Sequence, residues 1–204
     1  MSAWRPPEDA PPVPWPRIET SLRLPQRWTR HHQLSLRLPE DPRRAAVGVL
    51  LWGDAEGARK LVVVQRGYGA PHHAGELAFP GGMAEPKDRD LPSTARREVA
   101  EELGITQGLW ELGCFPDGVA KARTRFTPVF FRWEEPSPAF QLDRELEQAL
   151  LLPLIPLMDA PWTVERIDRY GLALDVPRLE LPQAPLWGAT AFVLKAWLDV
   201  LNAC

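Results

Sequence analysis

Three glutamates on one predicted helix are the residues whose types and spacing most strongly indicate chemistry. Glu98, Glu101 and Glu102 cover one arc of that helix, because successive residues are rotated by about 100°. Like charges three and four residues apart repel each other. A hard divalent cation, which prefers carboxylate oxygens as ligands, would make this arrangement favourable. The alternative for these glutamates is an ordinary charged helix face exposed to water.

Neighbouring residues fit the same helix. Arg97 precedes Glu101 by four residues, so we expect it to orient that carboxylate. Asp90 or Ser93 can cap the start of the helix, and Gly104 can end it in a left-handed conformation. The helix also has an apolar stripe, which predicts packing on a core. The stripe consists of Ala95, Val99 and Leu103.

A glycine turn precedes this helix at a fixed distance. The turn, residues 79–82 (Phe-Pro-Gly-Gly), is followed after five residues by Asp88 and after eight more by Arg97. The arrangement resembles the Nudix box of the Nudix hydrolases: Gly, five residues, Glu, seven residues, Arg-Glu, apolar, any, Glu-Glu, any, Gly, apolar. Asp88 replaces the first glutamate of that pattern, and the spacer after it is one residue longer. Both departures recur in the Nudix branch whose members resemble coenzyme A pyrophosphatases.

The resemblance implies a fold, a cofactor and a reaction. The fold is α/β, a Nudix-type α/β/α sandwich with a mixed sheet. The cofactor is Mg²⁺ or Mn²⁺, bound in relatives by the residues that correspond to Glu98, Glu101, Glu102 and the backbone carbonyl of Gly81. The reaction is hydrolysis of a diphosphate linkage, for which such ions neutralise phosphate charge and lower the pKa of a bound water.

Two residues outside the box complete the predicted site. Relatives differ in their general base, since some use a box glutamate and others a glutamate from a later loop or helix. Glu145 is our candidate for the later glutamate, with Glu135 second; an exposed helix residue is the alternative for Glu145. Arg66 is our candidate for contacting a substrate phosphate, and a surface ion pair is its alternative.

The resemblance to the coenzyme A branch extends upstream of the box. Arg66 and Gly75 keep the spacing of that branch relative to the glycine turn. Val64, Gly67 and Pro71 stand where the branch has Thr, Ser and a second Arg. These replacements remove two hydroxyls and a cation from the loop that we expect to meet the substrate.

The predicted function is therefore a divalent-metal-dependent pyrophosphohydrolase. Its substrate is a nucleoside diphosphate derivative, with coenzyme A or a related compound as the first choice. ADP-ribose or another nucleotide is the first alternative. A non-catalytic nucleotide-binding Nudix module is the second, and the intact box carboxylates argue against it.

Composition excludes several other classes of protein. The 204 residues include 24 basic and 27 acidic side chains, and the formal charge of −3 predicts no general affinity for nucleic acid or anionic membrane. No apolar run approaches the roughly 20 residues of a membrane span. Cys114 and Cys204 fit a reducing compartment without a disulfide framework. We expect a cytoplasmic protein that binds a small-molecule diphosphate. The sequence leaves open whether two copies of the chain form a homodimer.

The chain is predicted to consist of an arm and a domain. Residues 1–40 are proline-rich and predict an extended, poorly ordered arm, whereas residues 41–204 form the Nudix domain. The histidine pairs at 31–32 and 72–73 are interpreted as surface residues. Hydrophobic patterning then assigns the elements. Strands are predicted at 45–52, 61–66, 110–115 and 126–133, a short extended piece at 76–79, helices at 142–152 and 186–201, and irregular structure or short strands at 159–182.

Overall fold

A computed structural model describes residues 3–5, 7, 10–24, 42–69, 74–120, 124–169 and 172–204 of the chain. Over these residues the chain forms four helices and ten strands. The helices are α1 (Trp15–Arg23), α2 (Leu91–Leu103), α3 (Leu154–Met158) and α4 (Gly188–Asn202). The strands are β1 (Arg43–Gly53), β2 (Ala58–Arg66), β3 (Leu77–Ala78), β4 (Gly81–Met83), β5 (Leu109–Cys114), β6 (Gly118–Ala120), β7 (Thr124–Trp133), β8 (Leu146–Pro153), β9 (Thr163–Arg169) and β10 (Leu172–Arg178).

Strand β1 is the centre of a mixed sheet. It runs parallel to β7 along nearly its whole length, from the pair Arg43 and Thr124 to the pair Trp52 and Trp133. It runs antiparallel to β2 and, near its start, to the short strand β4. Strands β1 and β7 are buried along most of their length because both of their faces are covered. The four strands predicted from such runs and the short extended piece at 76–79 are confirmed.

Helices cover both faces of this sheet. Helix α2 packs on one face, in a core that includes Leu50, Val62 and Phe131. Helices α1, α3 and α4 pack on the other, in a core around Phe130 and the fully buried Trp197. The architecture is therefore the predicted α/β/α sandwich with a mixed sheet.

The predicted helix over 142–152 was wrong. Residues Leu146–Pro153 form β8, which pairs antiparallel with β2 from Arg66 to Lys60. A leucine-rich run that ends at a proline carries no periodicity that separates a buried strand from a buried helix. Pairing with β2 decided the conformation, because it satisfies the backbone hydrogen-bonding groups of both strands.

The prediction of an extended arm was also wrong for residues 15–23, which form α1. Trp15 and Ile18 are buried in the core under the sheet, and the Trp15 indole donates to the carbonyl of Asp54 at 2.7 Å. Ser21 is buried as well, and its hydroxyl accepts a hydrogen bond from the indole of Trp197 at 3.0 Å. The proline at the first turn of α1 is compatible with a helix start, so a proline-rich sequence did not exclude a helix here. Residues 25–41 lie outside the described part of the chain.

Replacing Ile18 by alanine is expected to lower the free energy of unfolding by about 2–5 kcal/mol, because it leaves a cavity at a fully buried site. Chemical denaturation of the purified protein measures this change. Thr20→Ala, at an exposed position of the same helix, is the matched control and should change stability by less than about 0.5 kcal/mol. Equal stability of the two variants would show that α1 does not belong to the folded core.

The last part of the chain contains a separate two-stranded ribbon. Strands β9 and β10 pair with each other and not with the main sheet, and β10 packs beside α4. This region was predicted as irregular structure or short strands, and it contains two strands. The final helix, predicted over 186–201, is α4. No helix in the described ranges has the length and apolar character needed to cross a membrane.

Candidate active site

Helix α2 has the local features that its sequence predicted. Asp90 caps its start, and the side chains of Asp90 and Ser93 each accept a hydrogen bond from the other residue's backbone N–H. Gly104 ends the helix with φ 71°, in the left-handed region that favours glycine. The predicted apolar stripe is fully buried. These features fix the orientation of the helix, so that its glutamates lie along β4.

The glycine pair is a short strand rather than a turn, and each glycine is required by close packing. Gly81 and Gly82 belong to β4 and pair with Val47 and Ala46 of β1. A Cβ atom on Gly81 would lie 2.5 Å from the carbonyl oxygen of Ala46. A Cβ atom on Gly82 would lie 2.4 Å from Oε1 of Glu98. The missing side chains therefore let β4 approach both the sheet and the carboxylates of α2.

The guanidinium of Arg97 lies between two of the glutamates. Its Nη1 donates to Oε1 of Glu98 at 2.8 Å and to Oε2 of Glu101 at 2.9 Å. Nη2 donates to the carbonyl of Met83 in β4 at 2.9 Å. The structure thus places Arg97 in contact with Glu101, as its spacing predicted, and also with Glu98.

Asp88 anchors Arg97 from the other side, a role that the sequence did not predict. Arg97 donates to both carboxylate oxygens of Asp88, from Nε and from Nη2, each at 3.1 Å. The hydroxyl of Thr94 and the backbone N–H of Glu85 also donate to Asp88. The Arg97 guanidinium is the main cause that holds the pKa of Asp88 well below its usual range. Asp88, which replaces the first glutamate of the box pattern, thus forms a bidentate ion pair with Arg97.

Glu102 stands apart from this network. Its Oε2 atom is buried and has no hydrogen-bond partner among the described residues. Burial, and then the charge of Glu98, raise the pKa of Glu102 to about 7, while Arg66 and the backbone N–H of Gly81 act in the opposite direction. Burial also raises the pKa of Glu98, although Arg97 opposes that shift. The negative charge of Glu102 is therefore poorly compensated, whereas that of Glu98 is paired with Arg97.

Arg66 and Glu145 lie on the same side of the domain as Glu102. Nη2 of Arg66 donates to Oε2 of Glu145 at 2.9 Å, and the backbone N–H of Gly67 donates to the carbonyl of Glu145 at 2.7 Å. The backbone N–H of Asp143 donates to the carbonyl of Glu102 at 3.0 Å, so the segment before β8 crosses the end of α2. The predicted phosphate contact and the predicted base therefore form an ion pair near Glu102.

Glu135, the second candidate for the base, lies elsewhere. Its carbonyl accepts a hydrogen bond from the indole of Trp52, at the end of β1 opposite to the end that pairs with β4. The side chain of Glu135 therefore stands at the far end of the sheet from the glycine pair, and the structure does not support it as the base.

Two of the three residues that differ from the coenzyme A branch upstream of the box have structural explanations. Val64 is 1% exposed and belongs to the core under α2, so a hydroxyl at this position would not meet a ligand. A Cβ atom on Gly67 would lie 3.2 Å from the carbonyl oxygen of Glu145, which places Gly67 in tight packing. Pro71 and the histidine pairs at 31–32 and 72–73 lie outside the described residues.

The donor atoms fit a hard divalent cation. Carboxylate oxygens are the ligands that Mg²⁺ and Mn²⁺ prefer, and Glu102 presents a buried carboxylate oxygen without a partner. In the part of the chain that the structure describes, no three acidic, histidine or cysteine side chains stand together as a ready ligand group. Arg97 accounts for this arrangement, since it binds Glu98 and Glu101 from one nitrogen. Because Arg97 holds Oε1 of Glu98 and Oε2 of Glu101, a cation could bind the second oxygen of each carboxylate.

Replacing Asp88 by asparagine is expected to reduce the loss of stability in acid. The depressed pKa means that ionised Asp88 stabilises the fold above the ordinary aspartate pKa of about 3.9, and that this contribution is lost as the pH falls through the lower folded value. Midpoints of thermal unfolding between about pH 7 and about pH 2.5 should therefore fall less steeply for Asp88→Asn than for the unmodified chain. Asp159→Asn controls for the loss of one exposed carboxylate. Parallel curves for Asp88→Asn and the unmodified chain would contradict the ion pair.

The mixed sheet lies between helical layers, and a glutamate-bearing helix packs on a glycine pair, as the box motif predicted. The sequence model of the NUDIX domain matches residues 42–173, which is more than half of the chain. The chain belongs to the Nudix family.

Curated relatives with this domain are similar over part of the chain. The uncharacterized Nudix hydrolase NudL of Yersinia pestis (strain Pestoides F) is 29% identical over 137 residues, which are 66% of this chain and 69% of that protein. Nudix hydrolase 15, mitochondrial, of Arabidopsis thaliana is 38% identical over 68 residues, which are 33% of this chain and 24% of that protein. The match thus spans about a quarter of the Arabidopsis relative's length.

Solved structures support the fold. A Nudix hydrolase of M. smegmatis, RenU, superimposes with a TM-score of 0.52 at 17% identity, covering 80% of this chain and 86% of its own. The MutT protein of Methanosarcina mazei Go1 gives a TM-score of 0.50 at 16% identity, covering 81% of this chain and 96% of its own. These likenesses confirm the predicted architecture.

Proposed function

We propose that the chain is a divalent-metal-dependent hydrolase of the diphosphate linkage in a nucleoside diphosphate derivative. The observation that carries the proposal is the Oε2 oxygen of Glu102, which is buried beside the charge of Glu98 and has no hydrogen-bond partner among the described residues. A buried carboxylate oxygen without a hydrogen-bond partner destabilises a fold unless it binds a ligand. A chain that acted only as a scaffold would gain stability from glutamine at this position.

Mg²⁺ or Mn²⁺ would be held by the carboxylates of Glu98, Glu101 and Glu102 and by the backbone carbonyl of Gly81. When bound, the ion would neutralise charge on the diphosphate and lower the pKa of a bound water. Arg97 prepares this ligand set, since its contacts fix the rotamers of Glu98 and Glu101 and bring them toward β4. Asp88 in turn fixes Arg97 by two hydrogen bonds, so the orientation is set by the protein.

Arg66 and Glu145 provide the remaining functions in this proposal. The Arg66 guanidinium can bind a phosphate oxygen by a charge-assisted hydrogen bond, and its ion pair places Glu145 beside that position. The side chain of Glu145 is 54% exposed and can accept the proton of an attacking water. The ion pair with Arg66 holds the Glu145 side chain at the site.

The experiment that tests the proposed function is incubation of the purified chain with coenzyme A, ADP-ribose and a dinucleoside polyphosphate, each with Mg²⁺ or Mn²⁺. Separation of the products by ion exchange should show that water cleaves one P–O–P linkage, which yields two phosphomonoesters from coenzyme A or ADP-ribose and two mononucleotides from the dinucleoside polyphosphate. Absence of cleavage across the whole panel would favour the non-catalytic Nudix module instead.

The substrate that we favour within this class is a coenzyme A-like or dinucleotide-like diphosphate. The chain keeps the spacing of the coenzyme A branch from Arg66 to Gly82, but Pro71 stands where that branch has an arginine. Loss of one arginine–phosphate contact reduces affinity by about ten- to a hundredfold. The 3′-phosphate of coenzyme A is the group most exposed to such a loss.

We therefore expect kcat/KM for coenzyme A to exceed that for 3′-dephospho-coenzyme A by much less than about a hundredfold. Steady-state kinetics with both compounds, at the same metal concentration, measures the ratio. A preference of about a hundredfold or more for the phosphorylated compound would show that another cation replaces the missing arginine.

A further inference from the structure

The outer edge of strand β9 has no partner strand among the described residues. Strand β9 pairs with β10 in seven consecutive residue pairs, and β10 separates it from α4. Every residue from Thr163 to Asp168 is exposed except Ile167, which is half-buried. The outward backbone N–H and C=O groups of β9 are therefore available for pairing with another strand.

The edge of β9 also lacks the irregularities that block such pairing. Edge strand β5 has a bulge at Gly113, and β8 ends in Pro153 after an irregular register. Strand β9 contains no proline, glycine or lysine, and its register with β10 is continuous. Val164, 67% exposed, adds apolar surface. A regular edge of this kind favours addition of a strand.

The charges of β9 favour a second copy of the same strand as the partner at this edge. The residues on the two sides of Ile167 carry charges of opposite sign. Arg166 precedes Ile167 and Asp168 follows it. If two copies of β9 pair antiparallel with Ile167 opposite Ile167, Arg166 of each copy lies opposite Asp168 of the other. Opposite charges in directly opposed positions stabilise strand pairs, and like charges destabilise them.

Neighbouring registers lack this complementarity. A shift of one residue in one direction places Glu165 opposite Asp168, and a shift of two residues places Arg166 opposite Arg166 or Asp168 opposite Asp168. A parallel arrangement in register would place every charge opposite itself. The antiparallel register centred on Ile167 therefore avoids the repulsion that accompanies these alternatives.

Strand β10 extends the favourable pattern. Within the ribbon, Asp175 lies opposite Arg166 and Ala173 lies opposite Asp168. In the paired arrangement, Arg166 would stand between Asp175 of its own chain and Asp168 of the second copy. Asp168 has no charged residue opposite it within its own ribbon, so a cation from the second copy would be its cross-strand partner.

We propose that the chain self-associates through β9, so that two ribbons form a four-stranded antiparallel sheet across a two-fold axis. Two-stranded ribbons are marginally stable by themselves, and a second ribbon doubles the sheet. The interface consists of one strand edge, and the surface area that it buries is below the roughly 1,000 Å² of a stable interface. The dimer is therefore weak, dependent on protein concentration, and weakened by salt. This inference does not rest on the proposed hydrolase function.

Sedimentation velocity of the full chain, from about 1 μM to about 1 mM, tests the proposal with charge-reversal variants. Asp168→Arg places arginine opposite Arg166 and should make the protein monomeric over the whole range, and Arg166→Asp should do the same. An equimolar mixture of the two variants restores both opposite-charge pairs and should dimerise again. Asp168 faces Ala173 in the ribbon, so Asp168→Arg should keep the unfolding temperature of the unmodified chain.

A cross-linking measurement locates the interface directly. In a background of Cys114→Ser and Cys204→Ser, Ile167→Cys should form a disulfide dimer on mild oxidation, because opposed residues of antiparallel strands lie within disulfide range. Val164→Cys is the matched control and should not cross-link, since its copies would lie about 20 Å apart. A monomeric unmodified chain at every concentration, a dimer that survives Asp168→Arg, or cross-linking of the Val164 variant alone would each overturn the proposal.

Discussion

Replacing Glu102 by glutamine is expected to lower kcat/KM for diphosphate hydrolysis by about two to three orders of magnitude while the fold survives. The expected size is that of losing one preorganised electrostatic group. Glutamine keeps the shape of the side chain but cannot carry the negative charge that the proposed cation needs. Glu101→Gln should have an effect of similar size.

The stability of Glu102→Gln should distinguish a functional carboxylate from a structural one. The raised pKa means that ionisation of Glu102 destabilises the folded state as the pH rises from the ordinary glutamate value to about 7. At pH about 8, the metal-free variant should therefore unfold at the same temperature as the unmodified chain or higher. Glu111→Gln, at an exposed position, is the control and should keep full activity. An unimpaired Glu102→Gln enzyme would contradict the mechanism.

Replacing Arg97 by alanine is expected to lower both activity and stability. The side chains of Arg97 and Asp88 are only 12% and 6% exposed, so removing the arginine leaves an uncompensated, nearly buried carboxylate. The free energy of unfolding should therefore fall, because the remaining carboxylate loses its charged partner. Loss of the contacts that orient Glu98 and Glu101 should also lower kcat/KM by about ten- to a hundredfold.

Denaturant titration and steady-state kinetics measure the two effects of Arg97→Ala separately. Arg89→Ala is the matched control, because Arg89 pairs with the adjacent Asp90 at the surface and its side chain is 88% exposed. The control should change neither quantity appreciably. Full activity of Arg97→Ala at saturating metal would show that the glutamates reach their positions without the arginine.

The box helix could be predicted from sequence because all of its determinants are local. The cap at Asp90, the stop at Gly104 and the apolar stripe lie within fifteen residues, and each acts through the helix itself. The buried strands were predicted for a related reason, since their β-branched and apolar runs match a sheet covered on both sides.

Elements whose conformation depends on distant partners could not be predicted in the same way. Strand β8 has a leucine-rich sequence that is compatible with a helix, and only its pairing with β2 decides the outcome. Helix α1 follows a proline-rich segment, and its buried side chains bond to residues far along the chain, in the turn after β1 and in α4. Tertiary contacts override local preference in both cases.

In the candidate site too, contacts between residues close in sequence could be predicted, and contacts between distant residues could not. The Arg97 and Glu101 contact follows from helical spacing, whereas the ion pair between Arg66 and Glu145 joins residues that are 79 positions apart. The role of Asp88 had a sequence signal in its place within the box pattern. That signal did not say which side chain Asp88 would bind.

The measurement that tests the central claim most directly is the rate of diphosphate cleavage with and without divalent cation. The chain is treated with EDTA, assayed, and assayed again after addition of excess Mg²⁺ or Mn²⁺, with Glu102→Gln in parallel. We expect no cleavage in EDTA, recovery of the full rate with either ion, and a rate at least about a hundredfold lower for the variant. Equal cleavage in EDTA and in Mg²⁺ would contradict it.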